Sequence, residues 1–477
     1  MLRRFARDSA VYGIASFLSR GVSIFLVPIY TRVLAPADYG AIDIVTIVAG
    51  IVASVVPLEI GQAVARFFPD QADDEAKRGY ASTSLLFVVL AYSVFLIAVW
   101  VLADPIAKVL LGPGYDGWLI RVAGVAMYGN GVFYIVQSQL RWSLRAREYA
   151  VAGVVYTVAS IATSVLMVVV LRLGVVGVFG GQIVGAIVGV IVSARFAARY
   201  YSRSFDTAKL REMLRFSTPL VPSTLGVLVA LYVDRLAINA LMSLSAVGVF
   251  GIGYRIASVP QLVLIGFQTS ITPLIYATHR DATTPSELAR IFRVFCAIAL
   301  TLWLGLGLFA RDIVSIVTTP EYYEAASVVP FLVPAVLVAG AYVFMPGPAI
   351  TMRTSQIAAI NITGGVLNLF LNLGLIPILG IIGAATATLL SSCIAFLLNV
   401  IASQRAYPVP HDWPMLLAAT GIVGGIVAGA WLLLPLSVLG FVLKLACLGA
   451  GMSAIVALGL VRGHELSSAV AMARGRR

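Results

Sequence analysis

Seven ionisable side chains fall inside long apolar runs of this 477-residue chain: Arg20, Asp43, Glu59, Asp234, Arg235, Arg255 and Lys444. An ionised group at mid-bilayer costs about 2.5–3.5 kcal/mol on insertion scales, so it faces a cavity, a partner or the interface. Arg20 shares a helical face with Tyr12, Ser16 and Ser23, which describes a wet wall. Arg255 lies on a face with Gly251 and Ser258, just above a kink expected at Pro260. Asp234 and Arg235 are adjacent, so they point about 100° apart and do not pair simply with each other. Glu59, Gln62 and Arg66 fall at i, i+3 and i+7, the spacing of an intrahelical network at an inner gate or of an ion-coupling site. Asp43 and Lys444 sit near the outer ends of their runs, where they can snorkel.

Two uncharged stripes extend this pattern. Asn130, Tyr134, Gln137 and Arg141 recur on one helical face and read as a second cavity wall. Asn361, Asn368 and Asn372 read instead as interhelical hydrogen-bond glue. The expected substrate cavity thus combines Arg20, Arg235 and Arg255, with Asp234 beside them, and the stripe from Asn130 to Arg141. Central arginines suit an anionic headgroup such as a pyrophosphate, because a guanidinium offers bidentate donors to phosphate oxygens.

Enzyme chemistry finds little to work with, and a transporter is the expectation. Cys296, Cys393 and Cys447 lie in apolar runs, and His279, His411 and His464 in separate polar segments, so no metal cluster can be drawn and no cofactor is expected. No phosphate-binding G-x-x-x-x-G-K-[ST] motif occurs, which removes a built-in ATP-driven pump. Asp104, Asp116, Asp312, Glu321 and Glu324 in the two longest outer loops form no paired motif of the kind a membrane polymerase or glycosyltransferase would need.

The elements that must position these residues are membrane spans. The chain is 60% hydrophobic and 11% charged, too apolar for a soluble surface. Fourteen apolar runs are long enough to cross about 30 Å of hydrocarbon. They lie near 9–30, 40–65, 80–103, 119–140, 150–171, 175–194, 218–241, 247–277, 292–310, 328–350, 357–376, 381–401, 414–434 and 438–461. With the N-terminus inside, 24 of the 33 Lys and Arg fall in inner segments, five in outer ones and four within spans. That asymmetry is the positive-inside rule, with both termini cytoplasmic. It also accounts for the net charge of +12 through topology and anionic lipid, so no nucleic acid is implied.

The spans repeat. Ile106 and Ile313 lie 207 apart in similar outer loops, Leu173–Gly177 and Leu379–Gly383 lie 206 apart, Arg147 and Arg353 lie 206 apart, and 34–40 pairs with 242–248 at 208. The fold class is therefore all-α, about fourteen transmembrane helices arranged as two parallel six-helix repeats plus two C-terminal helices. The expected divisions are an N-terminal bundle at 1–194 and a basic cytoplasmic connection at 195–217, of a kind that can rest on the inner leaflet as an amphipathic helix. A second bundle at 218–401, helices 13 and 14 at 414–461 and a basic tail at 462–477 complete the chain.

Pro28-Ile-Tyr-Thr-Arg-Val-Leu-Ala-Pro-Ala-Asp-Tyr-Gly40, after the Arg20 span, resembles the opening signature of the Wzx-like polysaccharide transporter family. Asp234-Arg235 followed by Ala246-Val-Gly-Val-Phe-Gly-Ile-Gly-Tyr-Arg255 resembles its second-half signature, with Val247-Gly248 where the first half has Tyr-Gly. The resemblance covers essentially the whole chain and places it in the multidrug/oligosaccharidyl-lipid/polysaccharide flippase superfamily. It implies alternating access, in which an undecaprenyl-pyrophosphate-linked oligosaccharide passes from the cytoplasmic to the periplasmic leaflet of a bacterial inner membrane. The polymerase and glycosyltransferases of a surface-polysaccharide pathway are the implied protein partners. Other branches of the superfamily, a lipid II flippase or a cation-coupled multidrug exporter, are the alternatives. Excess cavity cations weigh against the exporter.

Overall fold

The computed structural model describes residues 26–461, and among these no strand occurs. The protein is an all-α, multi-pass membrane protein. Its helices are α1 (Pro36–Val55), α2 (Ile60–Phe67), α3 (Asp74–Leu110), α4 (Gly117–Trp142), α5 (Ala146–Val165), α6 (Gly174–Ala197), α7 (Thr207–Ser217) and α8 (Val221–Leu241). They continue as α9 (Leu244–Ala257), α10 (Gln261–Thr278), α11 (Thr284–Val317), α12 (Val329–Gly340), α13 (Thr354–Leu379), α14 (Ile381–Ala406), α15 (Trp413–Leu433) and α16 (Val438–Ala457). Twelve helices of the described residues are long and apolar enough to span a membrane, and α9 with α10 forms one more, bent by 49°. Each expected span from the second onward has its counterpart. The first, at 9–30, lies mostly outside the described residues, and Arg20 with it.

Contacts divide the chain into two units. Among the described residues, the first holds those up to Leu236 together with Ser243–Gly248, and the second holds Ala237–Met242 and those from Val249. In the first unit, α4, α5 and α6 pack closely because α6 presents small residues every fourth position. A Cβ at Gly181 would lie 2.1 Å from the Ser164 hydroxyl, and one at Gly185 would lie 2.5 Å from Ser160 Cβ. Small residues at this spacing let helix backbones approach where lipid offers no hydrophobic drive.

The motif at 34–40 is a helix start. Pro36 occupies the first turn of α1, where a missing N–H costs nothing, and Asp38 accepts from Ala35 N at 3.3 Å and from the Tyr115 hydroxyl at 2.9 Å. Within this unit the start of α9 crosses the start of α1. A Cβ at Gly40 would lie 1.9 Å from Leu244 O, and one at Gly248 would lie 2.0 Å from Pro36 O. The two contacts are reciprocal, and the segments they join are those paired in sequence at an offset of 208.

A second correspondence is written in the backbone. Arg145 N donates to Leu140 O at 2.8 Å and Leu144 N to Arg141 O at 3.0 Å; Arg353 N donates to Pro348 O at 2.8 Å and Met352 N to Ala349 O at 3.2 Å. Leu144 and Met352 both adopt positive φ, 56° and 57°. The same turn therefore recurs at an offset of 208, which matches Arg353 with Arg145 and not with Arg147.

The basic connection is a docked element of the first unit. Asp206 caps α7 through Ala208 N and Lys209 N, Met213 is fully buried, and Leu210 and Leu214 pack into the same core. Ser202 N donates to Ser82 Oγ at 2.7 Å and Asp206 N to Thr83 Oγ1 at 3.1 Å, which stitches the segment to α3. Its apolar face thus meets protein, while Arg211 and Arg215 are exposed.

In the second unit the long α11 carries α15 and α16. Trp431 Nε1 donates to Gly307 O at 3.1 Å, the Arg311 guanidinium lies 3.9 Å from the Trp431 ring centre, and Lys444 pairs with Asp312. Lys444 is buried by that pairing and does not snorkel. Asn368 Nδ2 donates to Ser391 Oγ at 3.1 Å and so ties α13 to α14.

Candidate functional site

The second span does not run as one helix. Pro57 removes a backbone donor, and Leu58 and Glu59 follow at φ 50° and 54°, in the left-handed region. Two consecutive side-chain-bearing residues there cost about 1–2 kcal/mol each, a strain that marks functional segments when the surroundings hold it in place. The helix restarts at Ile60, so Glu59 precedes α2 and does not share a helical face with Gln62 and Arg66. Arg66 is exposed and pairs with Asp70. The gate network expected from the spacing is therefore absent, because that spacing holds only in an unbroken helix.

The break opens a cavity of about 490 Å³ inside the first unit, bounded by the end of α1, α2, α3, α4 and α5. Its lining includes the polar residues Ser54, Glu59, Gln62, Asn130, Tyr134 and Tyr156. Tyr156 stacks on Phe133 with ring centres 4.4 Å apart, and its hydroxyl donates to Asn130 Oδ1 at 2.9 Å. Asn130 Nδ2 in turn donates to Gln182 Oε1 at 3.3 Å. This chain fixes the orientation of the amide at the cavity wall. Tyr92 fills the floor, and Gly131 is required beside it, since a Cβ there would lie 2.3 Å from the ring.

The stripe on α4 divides. Asn130 and Tyr134 line the cavity; Gln137 is buried and donates to Tyr149 O at 3.1 Å, and Arg141 is exposed with its guanidinium 6.0 Å from the Tyr149 ring centre. The first turns of α5 cover the lower half of the stripe and make it a helix contact.

Arg235 is buried in the first unit, its Nε 3.7 Å from Asp43 Oδ2 and its guanidinium 5.8 Å from the Tyr232 ring centre. The two charges come from matching depths: Asp43 is seven residues into α1 and Arg235 six from the end of α8, each about 10 Å along its helix. That match is a sequence signal, and the expected snorkelling of Asp43 missed it. Asp234 is buried in the same unit, whereas Arg255 is half-buried near the end of α9 in the second unit.

Among the described residues, no lysine or arginine lines the first unit's cavity. One carboxylate with amides and phenols suits hydroxyl groups, a proton or a small cation better than a phosphate. Among the described residues no group of three His, Cys, Asp or Glu could hold a metal ion.

A family model described as polysaccharide biosynthesis protein matches residues 5–279, more than half of the chain. No curated protein matches it. Among solved structures, the lipid II flippase MurJ in an inward closed conformation aligns over 94% of this chain and 98% of its own, with a TM-score of 0.69 at 13% identity. An inward-facing multidrug resistance MATE family transporter of the MOP superfamily aligns over 80% and 93%, with a TM-score of 0.64 at 18% identity. A MOP superfamily transporter from Pyrococcus furiosus aligns over 84% and 96%, with a TM-score of 0.55 at 17% identity. At these identities the likeness is one of fold.

Proposed function

The chain belongs to the polysaccharide biosynthesis protein family, and from that premise we propose that it is a flippase for a lipid-linked oligosaccharide. The family match over 5–279 carries this reading, and the transporter fold supports it. The cargo is an undecaprenyl-pyrophosphate-linked oligosaccharide destined for a surface polysaccharide, moved from the cytoplasmic to the periplasmic leaflet. Charge asymmetry of the loops supports an inner-membrane location with both termini in the cytoplasm. The polymerase and glycosyltransferases that make and use such a cargo are its functional partners.

We assign the pyrophosphate to Arg20 and Arg255, and to Arg235 and Asp43 the role of a buried pair that one phosphate could exchange against. Glu59, held at the strained break with Gln62, Asn130 and Tyr134, is the group assigned to ion coupling or to sugar hydroxyls. Arg66, Gln137 and Arg141 drop out of both roles.

A gene deletion complemented with plasmid copies tests this. The deletion should abolish surface glycan with viability retained, and Glu59→Gln or Arg255→Ala should restore less than about a tenth of export at unchanged protein level, the loss of one charge-assisted contact. A lethal deletion that halts murein synthesis and spares surface glycan would replace this reading with a lipid II flippase.

A further inference from the structure

A tyrosine recurs with the repeat. Tyr134 and Tyr342 lie 208 apart, and each precedes by ten residues the shared turn, at Leu144 and Met352. Both side chains are 54% exposed, and each stands between buried neighbours, Phe133 and Ile135 in the first unit and Ala341 and Val343 in the second. The neighbours differ between the copies; the protruding ring does not. Tyr134 lies eight residues from Trp142, the last residue of α4, which is about 12 Å from that end of the helix. Belt tyrosines anchor a span at the interface, whereas a phenol this deep needs polar surroundings for its hydroxyl. A cavity provides them.

Each ring lines a cavity of its own unit. Tyr134 lines the one at Glu59, together with Asn130 and Tyr156. Tyr342 lines a recess of about 120 Å³ formed by α10, the segment 342–349, α13 and α14. Tyr276, which is also exposed, is the second ring of that recess, and Thr272 and Asn399 join the two phenols as its polar residues. Asn399 Nδ2 donates to Ala395 O at 3.0 Å and Thr272 Oγ1 to Gln268 O at 2.8 Å. What they offer a ligand is therefore acceptor capacity, on the amide oxygen and the hydroxyl lone pairs. Among the described residues, no Asp, Glu, Lys or Arg lines the recess.

Uncharged walls give no anchor to a phosphate. Phenol rings beside acceptors suit a ligand with an apolar C–H face and hydroxyl donors at its rim, which describes a pyranose ring. A hydrocarbon chain would leave the acceptors unmet. We propose that Tyr134 and Tyr342 are equivalent stacking platforms, each taking the C–H face of one sugar ring of the cargo. Tyr276 and Asn399 complete the subsite of the second unit. This role rests on the flippase reading, and gives the second unit a glycan contact in addition to the phosphate contact at Arg255.

The deletion strain complemented with full-length variants tests the platforms, read as the rate at which surface glycan appears after induction. Tyr342→Phe and Tyr342→Trp keep a ring face and should retain roughly half of the wild-type rate or more, whereas Tyr342→Leu should lower it roughly tenfold, the upper range for one aromatic contact. The same three substitutions at Tyr134 should fall in the same order. Wild-type membrane level and melting temperature in detergent qualify each variant, and where leucine lowers either, Tyr342→Met or Tyr134→Met takes its place. A leucine variant that exports as wild type does overturns the proposal. A phenylalanine variant that falls as far as leucine overturns it too, because the hydroxyl then carries the contact. Cations also bind ring faces. Lost resistance to a cationic dye in Tyr342→Leu, with glycan export intact, would give the recess to a cation and overturn the sugar assignment. A deletion that leaves surface glycan unchanged overturns the flippase reading itself, and this role with it.

Discussion

The second span is interrupted at a proline in both copies of the repeat, but the two interruptions are built differently. In the first, α1 runs 20 residues to Val55 and the chain then turns through Pro57 and two left-handed residues before the short α2. In the second, α9 runs only 14 residues to Ala257, and Pro260, with helical angles of −61° and −18°, leads into the longer α10. At 1.5 Å per residue the first break lies about 30 Å from the start of its span and the second about 21 Å. Thus one falls near a membrane face and the other within the hydrocarbon. The first places a carboxylate on strained backbone beside a cavity, whereas the second bends the span with unstrained backbone. Equivalent helices have been turned to different ends, a polar site in one copy and a bend in the other.

If the copies are equivalent where they cross, the largest effects should be symmetric. Gly40→Val and Gly248→Val each drive a side chain into a backbone carbonyl that cannot rotate away. Each should cost about 3 kcal/mol, seen as loss of monodisperse protein and a fall in melting temperature. A large loss at one glycine and none at the other would break the equivalence of 34–40 and 242–248.

The two breaks can be separated by removing their prolines. In the second copy Pro260 lacks the donor for an i−4 bond and Val259, Gln261 and Leu262 turn to i−3 carbonyls around it, so Pro260→Ala should straighten α9 and α10. Electron–electron distance measurements between spin labels at the far ends of the two helices should then lengthen by roughly 4 Å, about what full straightening of a 49° bend allows at 1.5 Å per residue. In the first copy Pro57→Ala should leave the corresponding distance unchanged, since Leu58 and Glu59 hold the turn. A comparable change in both would mean that proline, and not the left-handed pair, makes the first break.

Much of this architecture was legible in the sequence, because hydropathy, loop charge and repeat offset report on long segments. The bend at Pro260 was legible for the same reason: the ring acts locally whatever surrounds it. Glu59 was not. Its left-handed backbone depends on packing, and the spacing to Gln62 and Arg66 reads as one face only if the helix is assumed continuous. The connection at 195–217 showed its amphipathic face in sequence, but that pattern is the same whether the face meets lipid or, as found, Ser82, Thr83 and the core around Met213. Gln137 and Arg141 share a face with Asn130 and Tyr134, and only the placement of α5 separates glue from cavity. Arg235 and Asp43 could have been paired from matching depths, a rule that also joins Asp312, five residues from the end of α11, with Lys444, six from the start of α16.

The smallest effect bears on the turn that the copies share most closely. Leu144 and Met352 occupy the same left-handed position, and both side chains are largely exposed, at 79% and 85%. Glycine at either site relieves the Cβ–carbonyl conflict, worth about 1–2 kcal/mol. It also makes the unfolded chain more costly to order, by about 0.5–1 kcal/mol. Because little burial is lost, the net should be a stabilisation of about 0.5 kcal/mol, a rise of about 1–2 °C in melting temperature. The magnitude matters less than the match. Leu144→Gly and Met352→Gly should move the melting temperature by the same amount, because four of the backbone hydrogen bonds around them recur at an offset of 208. Opposite signs would mean that one copy holds its turn by contacts outside the motif, and that the correspondence at 208 describes the backbone without its energetics.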